Sequence, residues 1–273
     1  MQQLHVFQSM WAMQLRSAQA PELTTSEAVR KIASAGFNGV SAHWTDRAAV
    51  RELHALLAEH GLAAEGQCFP KTTDDLKPVL DLATQYPVSH ICLQADTRPR
   101  KIDECVPLLE GWMELGRQAG IPVLIETHRD RMTTDLYFTL DLMDRLPGLP
   151  LLADLSHFLV GREFSYPVSQ ENHQYMHRVM ENSWAFHGRV ASREQVQVEL
   201  SFPQHAQWLN LFLQWWGYGF RSWRSRAPED GVLVFVCELG PKPYAITDRN
   251  GEDTTDRWQE AVMLKECIRE LWI

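Results

Sequence analysis

Four short stretches of the 273-residue sequence carry side chains suited to acid–base and metal chemistry: Ile125-Glu126-Thr127-His128, Ala153-Asp154-Leu155-Ser156-His157, Phe186-His187-Gly188 and Val236-Cys237-Glu238. Each ends a short apolar run that reads as a buried strand. A carboxylate or imidazole is expensive in such a place, because an unpaired buried charge costs several kcal/mol or more. Three carboxylates sharing one site also repel, and without a cation at least one would take up a proton. Glu126, Asp154, His187 and Glu238 are therefore the candidate ligands of one divalent metal ion. Three oxygen donors and one nitrogen suit Mn2+, Co2+ or Mg2+. Zn2+ is less favoured by that oxygen count.

Such residues must be brought together by the elements that carry them. Apolar runs predict strands at His5–Met13, Phe37–Trp44, Ala63–Phe69, Val88–Ala95, Pro122–His128, Leu151–His157, Ala185–Ala191 and Gly231–Leu239. Helical periodicity, with start and stop signals, predicts helices over 25–35, 47–60, 73–86, 102–119, 135–146, 174–181, 205–216 and 256–271. The strands are continuous apolar runs, as parallel strands covered on both faces should be. Strict alternation without a linker makes residues 1–273 a single α/β domain, a (β/α)8 barrel, in preference to a doubly wound open sheet. In a barrel the active site lies at the carboxyl ends of the strands, where the four candidate ligands fall.

Composition narrows the function classes. A formal net charge of −9 and the lack of any long basic run argue against a nucleic-acid partner. Cys68, Cys92, Cys105, Cys237 and Cys267 are scattered without paired spacing, so they read as small hydrophobes in a reducing compartment. The first residues lack signal-peptide character, and Trp208–Phe220 is too short to span a bilayer, which points to a cytoplasmic protein. The aromatic stretch Trp208–Trp223 either packs on the barrel or forms a pocket wall or subunit contact, which leaves a homo-oligomer open.

The chain resembles the sugar phosphate isomerase/epimerase family of xylose isomerase-like TIM barrels. The matching stretches are IETH, ADLSH, FHGRVASR and VFVCELG. At these positions it is most similar to the ketose 3-epimerase branch. That resemblance implies Glu126, Asp154, His187 and Glu238 as metal ligands, with Glu126 and Glu238 also serving as paired acid and base. It implies His157 and Arg193, by spacing, as contacts to substrate oxygens. The chain departs from the family at Ser41, near which many members carry a Glu. No glycine-rich helix start marks a phosphate site after strands seven and eight, so a phosphorylated substrate is not supported.

Other residues carry weaker signals. His128 either reaches the pocket or orients Glu126. His43 and Trp44 are candidates for lining the sugar site, as are Gln8, Trp11, Gln67, Phe69 and Gln94, against ordinary wall packing. His90, in a strand body, reads as a packing or surface residue. The expected chemistry is proton abstraction next to a carbonyl. A metal holding two oxygens of a keto-sugar or related polyol acidifies the adjacent C–H, and Glu126 or Glu238 removes the proton to give an enediolate held by the metal. Reprotonation on the opposite face gives an epimer, reprotonation of the neighbouring carbon an isomer. Loss of a β-hydroxyl gives a lyase reaction, such as dehydration of a keto-inositol or cleavage of a keto-glycoside. An endonuclease IV-like metallohydrolase is disfavoured by the single ligand set and acidic balance.

Overall fold

The computed structural model describes residues 1–14 and 21–272. Eight strands, β1 (Gln3–Ser9), β2 (Gly39–His43), β3 (Ala63–Cys68), β4 (Ile91–Leu93), β5 (Val123–Glu126), β6 (Leu151–Asp154), β7 (Ser183–Gly188) and β8 (Val232–Cys237), form a closed barrel in sequence order. All neighbouring pairs are parallel, and β8 pairs with β1 to close the ring. The helices are α1 (Thr25–Ser34), α2 (Arg47–His60), α3 (Lys77–Gln85), α4 (Ile102–Ala119), α5 (Leu136–Arg145), α6 (Ser156–Gly161), α7 (Gln170–Glu181), α8 (Ala206–Arg226) and α9 (Arg257–Trp272). No helix among the described residues is long and apolar enough to cross a membrane. The fold is the expected (β/α)8 barrel.

Two hydrophobic layers hold it together. Phe7, Cys92, Leu124, Leu152, Ala185, Val234 and Val236 fill the barrel interior. A larger layer between strands and helices includes Val6, Ile125, Ala153, Phe186 and Phe235. Successive side chains of a strand point to opposite faces, so the residue two positions after an inward-facing one also faces inward. Leu124 therefore predicts Glu126, Leu152 predicts Asp154, Ala185 predicts His187, and Val236 predicts Glu238.

Three boundaries differ from expectation for local reasons. The first strand stops at Ser9, and Trp11–Met13 is one 3-10 turn, so Trp11 stands at the barrel mouth rather than in the wall. β6 stops at Asp154 because its carboxylate accepts from the Ser156 backbone N–H at 3.0 Å, which turns the chain into α6. His157 thus sits on the first turn of a helix. α8 runs ten residues beyond the expected end at Trp216, straight through Gly217 and Gly219. Its aromatic residues Trp208, Trp215, Trp216 and Trp223 are buried within the chain itself, which is the packing reading of that stretch.

Candidate active site

Glu126 and Asp154 end the adjacent strands β5 and β6, His187 is the last residue but one of β7, and Glu238 directly follows β8. All four are buried. His187 is the hub. Its Nδ1 lies 3.2 Å from Glu238 Oε2 and 3.6 Å from Glu126 Oε1. Its Nε2 lies 2.8 Å from Glu65 Oε1, on β3. The other Glu65 oxygen meets His90 Nε2 at 2.7 Å, and Ser41 Oγ donates to Glu65 Oε1 at 2.6 Å. Glu65 thereby fixes the ring of His187 and turns Nδ1 toward the mouth, an arrangement typical of metal-binding histidines. His90 is thus part of the site's support and not a surface residue.

Glu126, His187 and Glu238 each offer one ligand atom within 4.8 Å of the others. Two of the facing atoms, Glu126 Oε1 and His187 Nδ1, are buried without a hydrogen-bond partner. A cation between them would satisfy both, so these three residues fit a divalent metal. Asp154 stands differently. Its Oδ1 accepts from Ser156 and its Oδ2 from Arg189 Nε at 3.2 Å. Arg189 is buried on the far side of the same cluster, where its Nη2 donates to Glu238 Oε2 at 2.7 Å. The guanidinium ties Asp154 to Glu238 and so to the hub.

The electrostatics follow from this crowding. Burial opposes a charge on His187, yet Glu65, Glu238 and Glu126 together hold its pKa well above the usual imidazole value. A metal ion at Nδ1 would supply the compensation that a proton otherwise gives. Burial likewise opposes the charge on Glu238, but His187 and Arg189 outweigh it and bring its pKa down to about 2, so it stands ionised as a base. For Asp154 burial wins over Arg189, and its pKa is raised. Cys92 donates its thiol to Glu126 Oε2 at 2.8 Å; burial and the Glu126 charge keep that thiol protonated.

The remaining expected residues divide. His157 is fully buried, 3.4 Å from Asp154 Oδ2, and its ring lies 4.0 Å from that of His128. Burial pushes its pKa well below the ordinary imidazole value, and the nearby His128 adds to that. His128, half-buried, uses Nδ1 on the Arg129 carbonyl at 2.6 Å. Gln67 Nε2 is 3.5 Å from Glu238 Oε1. His43 is exposed and packs edge-on against Phe69. Arg193 is not in the cluster: it is half exposed and pairs with Glu163 and Glu194 at the surface. The chain leaves β7 at Gly188, so strand alternation no longer governs it by position 193, and the arginine of the site is Arg189 instead. Glu65, Cys92 and Arg189 were not expected, nor were two neighbours of Arg189: Gln197, whose Oε1 lies 3.4 Å from Nη1, and Tyr244, whose ring centroid lies 4.5 Å from Cζ. Alternation would have found two of them, since Ala63 leads to Glu65 and His187 to Arg189.

The sequence matches no protein-family model, and no curated protein matches it. Solved structures resemble it over nearly its whole length. 3-Keto-D-glucoside 4-epimerase YcjR from E. coli is 14% identical, with 98% of this chain and 100% of that one covered and a TM-score of 0.57. A sugar phosphate isomerase/epimerase from Parabacteroides distasonis is 9% identical, covering 99% and 94%, with a TM-score of 0.63. A xylose isomerase-like TIM barrel protein from Mycobacterium smegmatis, in complex with magnesium, is 10% identical, covering 98% of each chain, with a TM-score of 0.60. At these identities the likeness establishes the shared barrel fold.

Proposed function

We propose that the chain is a divalent-metal-dependent isomerase or epimerase that moves a proton next to the carbonyl of a keto-sugar or related polyol. The observation that carries this reading is the pair of unpartnered buried atoms, Glu126 Oε1 and His187 Nδ1, 3.6 Å apart beside Glu238. Glu126, His187 and Glu238 would hold the metal, with Asp154 completing the set or serving Arg189. Mn2+ is the first choice, with Co2+, Mg2+ and Zn2+ as alternatives. Bound there, the ion would make the C–H beside a substrate carbonyl more acidic.

The chain's own residues do the rest. Glu238, ionised and steadied by Arg189, is placed to accept a proton from substrate carbon. Glu126, on β5 with Oε1 3.6 Å from His187 Nδ1, would return one. His157 and His128 face the same mouth and are candidates for holding substrate oxygens. The near-complete burial of Glu126, His187 and Glu238 strengthens the electrostatic interactions among them and with a bound substrate. The names of the neighbours YcjR and the Parabacteroides protein support sugar epimerisation or isomerisation as the class.

The test is a deuterium-exchange screen of the metal-loaded protein over ketoses, inososes and keto-glycosides, read by NMR. Exchange without loss of water or aglycone is expected. Exchange accompanied by such loss would make the enzyme a lyase on the same scaffold. No exchange on any of them would overturn the reading.

A further inference from the structure

Two guanidinium groups flank the ring of Tyr244: Arg189 Cζ lies 4.5 Å from its centroid and Arg129 Cζ lies 4.9 Å from it. Their counter-charges differ. Arg189 is engaged by Asp154, Glu238 and Gln197. Arg129 has no carboxylate within ion-pair distance among the described residues. The acids near it in sequence and space are already committed: Asp130 pairs with Arg98 through two hydrogen bonds of 2.7 and 2.9 Å, and Asp96 pairs with Lys71, Arg98 and Arg131. A half-buried cation held over an aromatic ring, beside another guanidinium, lacks an anion.

Of the two histidines beside it, His128 uses Nδ1 on the Arg129 carbonyl, and His157 has Asp154 Oδ2 3.4 Å from its Nε2 but makes no hydrogen bond among the described residues. Both ring nitrogens of His157 are buried without a hydrogen bond, although the residue is wholly enclosed. His128 follows directly from Glu126 and Thr127, and its ring lies against that of His157. One atom each from Glu126, His128 and His157 fall within 4.8 Å of one another, so this nitrogen-rich corner adjoins the proposed acid–base pair. Such an arrangement would be satisfied by an acceptor-rich group carrying one negative charge.

We propose that Arg129, with His128 and His157, binds a carboxylate of the substrate, which makes the substrate a polyhydroxy keto-acid rather than a neutral ketose. This rests on the isomerase reading for the word substrate, but the anion site itself does not. A carboxylate is favoured over a phosphate because a single cation is uncompensated, and no glycine-rich helix start supplies the extra backbone donors a dianion requires. Arg129 belongs to the segment Thr127–Thr134, which leaves β5 and is tied back to it where Thr133 Oγ1 donates to the Glu126 carbonyl at 2.6 Å and accepts from His128 N–H at 3.1 Å, so its backbone is anchored near the mouth.

Isothermal titration of the metal-loaded protein with D-gluconate, D-glucitol and D-glucitol 6-phosphate tests this without relying on turnover. Gluconate should bind about tenfold or more tightly than glucitol, the usual scale for a charge-assisted hydrogen bond. In Arg129→Gln and Arg129→Ala the preference should fall to within about twofold, and Arg129→Lys should keep part of it. Circular dichroism and unfolding midpoints of the variants report whether they fold. Equal binding of gluconate and glucitol, or no detectable gluconate binding, would overturn the proposal. So would a preference that survives Arg129→Gln, which would place the carboxylate on the metal, or tighter binding of the 6-phosphate. Arg129-dependent gluconate binding in a protein that exchanges no substrate proton would leave the anion site standing and remove the isomerase reading.

Discussion

His187 shows how one residue can be specified from both sides. Glu65 claims its Nε2 and leaves Nδ1 facing Glu126 and Glu238. Replacing His187 by Ala should lower the metal content of protein purified without added metal, as measured by elemental analysis; a full complement would show that it is not a ligand. Glu65→Gln should weaken metal affinity by about 10–100-fold while leaving the ligands in place, read by competition with a chromogenic chelator. Glu238→Gln should cut proton exchange by about 10²–10⁴-fold with sugar binding still measurable, and unchanged exchange would remove Glu238 from the acid–base role. Arg189 and Arg193 separate cleanly. Arg193→Ala, at the surface, should leave the apparent substrate constant within about twofold. Arg189→Ala strands the buried carboxylates of Asp154 and Glu238 and should cost about 3 kcal/mol or more in denaturant unfolding.

At the scale of elements, much is legible in the amino-acid sequence alone. The boundaries of α2 and α4 are set by Gly61 and Gly120, both at positive φ where a helix must end. The strand ends carrying Glu126, Asp154, His187 and Glu238 are visible because each charge closes an apolar run. What stays hidden depends on distance in sequence. Glu65 meets His187 across 122 residues, and Arg189 meets Glu238 across 49, so neither pairing leaves a local pattern. The end of α8 is hidden because glycine usually punctuates a helix, whereas here Gly219 sits against the Phe186 ring. A Cβ at Gly219 would lie 2.6 Å from Phe186 Cζ, while one at Gly217 would meet nothing closer than 3.5 Å. Gly219→Ala should therefore destabilise the protein by about 1–3 kcal/mol through overpacking. Gly217→Ala should stabilise it by up to about 1 kcal/mol, because alanine favours the helix and the space exists. Urea titrations of the two variants should move in opposite directions.

For the molecule as a whole, closure of the ring by β1 and β8 lets side chains from seven of the eight strands or their ends converge on one cluster. A ligand bound at that cluster stabilises the native state by mass action. Stripping metal should lower the unfolding temperature, and restoring Mn2+ at about a thousand times its dissociation constant should return about 4 kcal/mol. The roof over the cluster has a kinetic consequence as well. Trp11 meets Tyr244 edge-on at 5.2 Å, Arg189 lies against both rings, and Glu126 Oε1 and His187 Nδ1 are buried. A bulky chelator must wait for that aromatic cover to part. Above a modest concentration, adding more of it should no longer hasten metal release, and the plateau rate would time how often the barrel breathes.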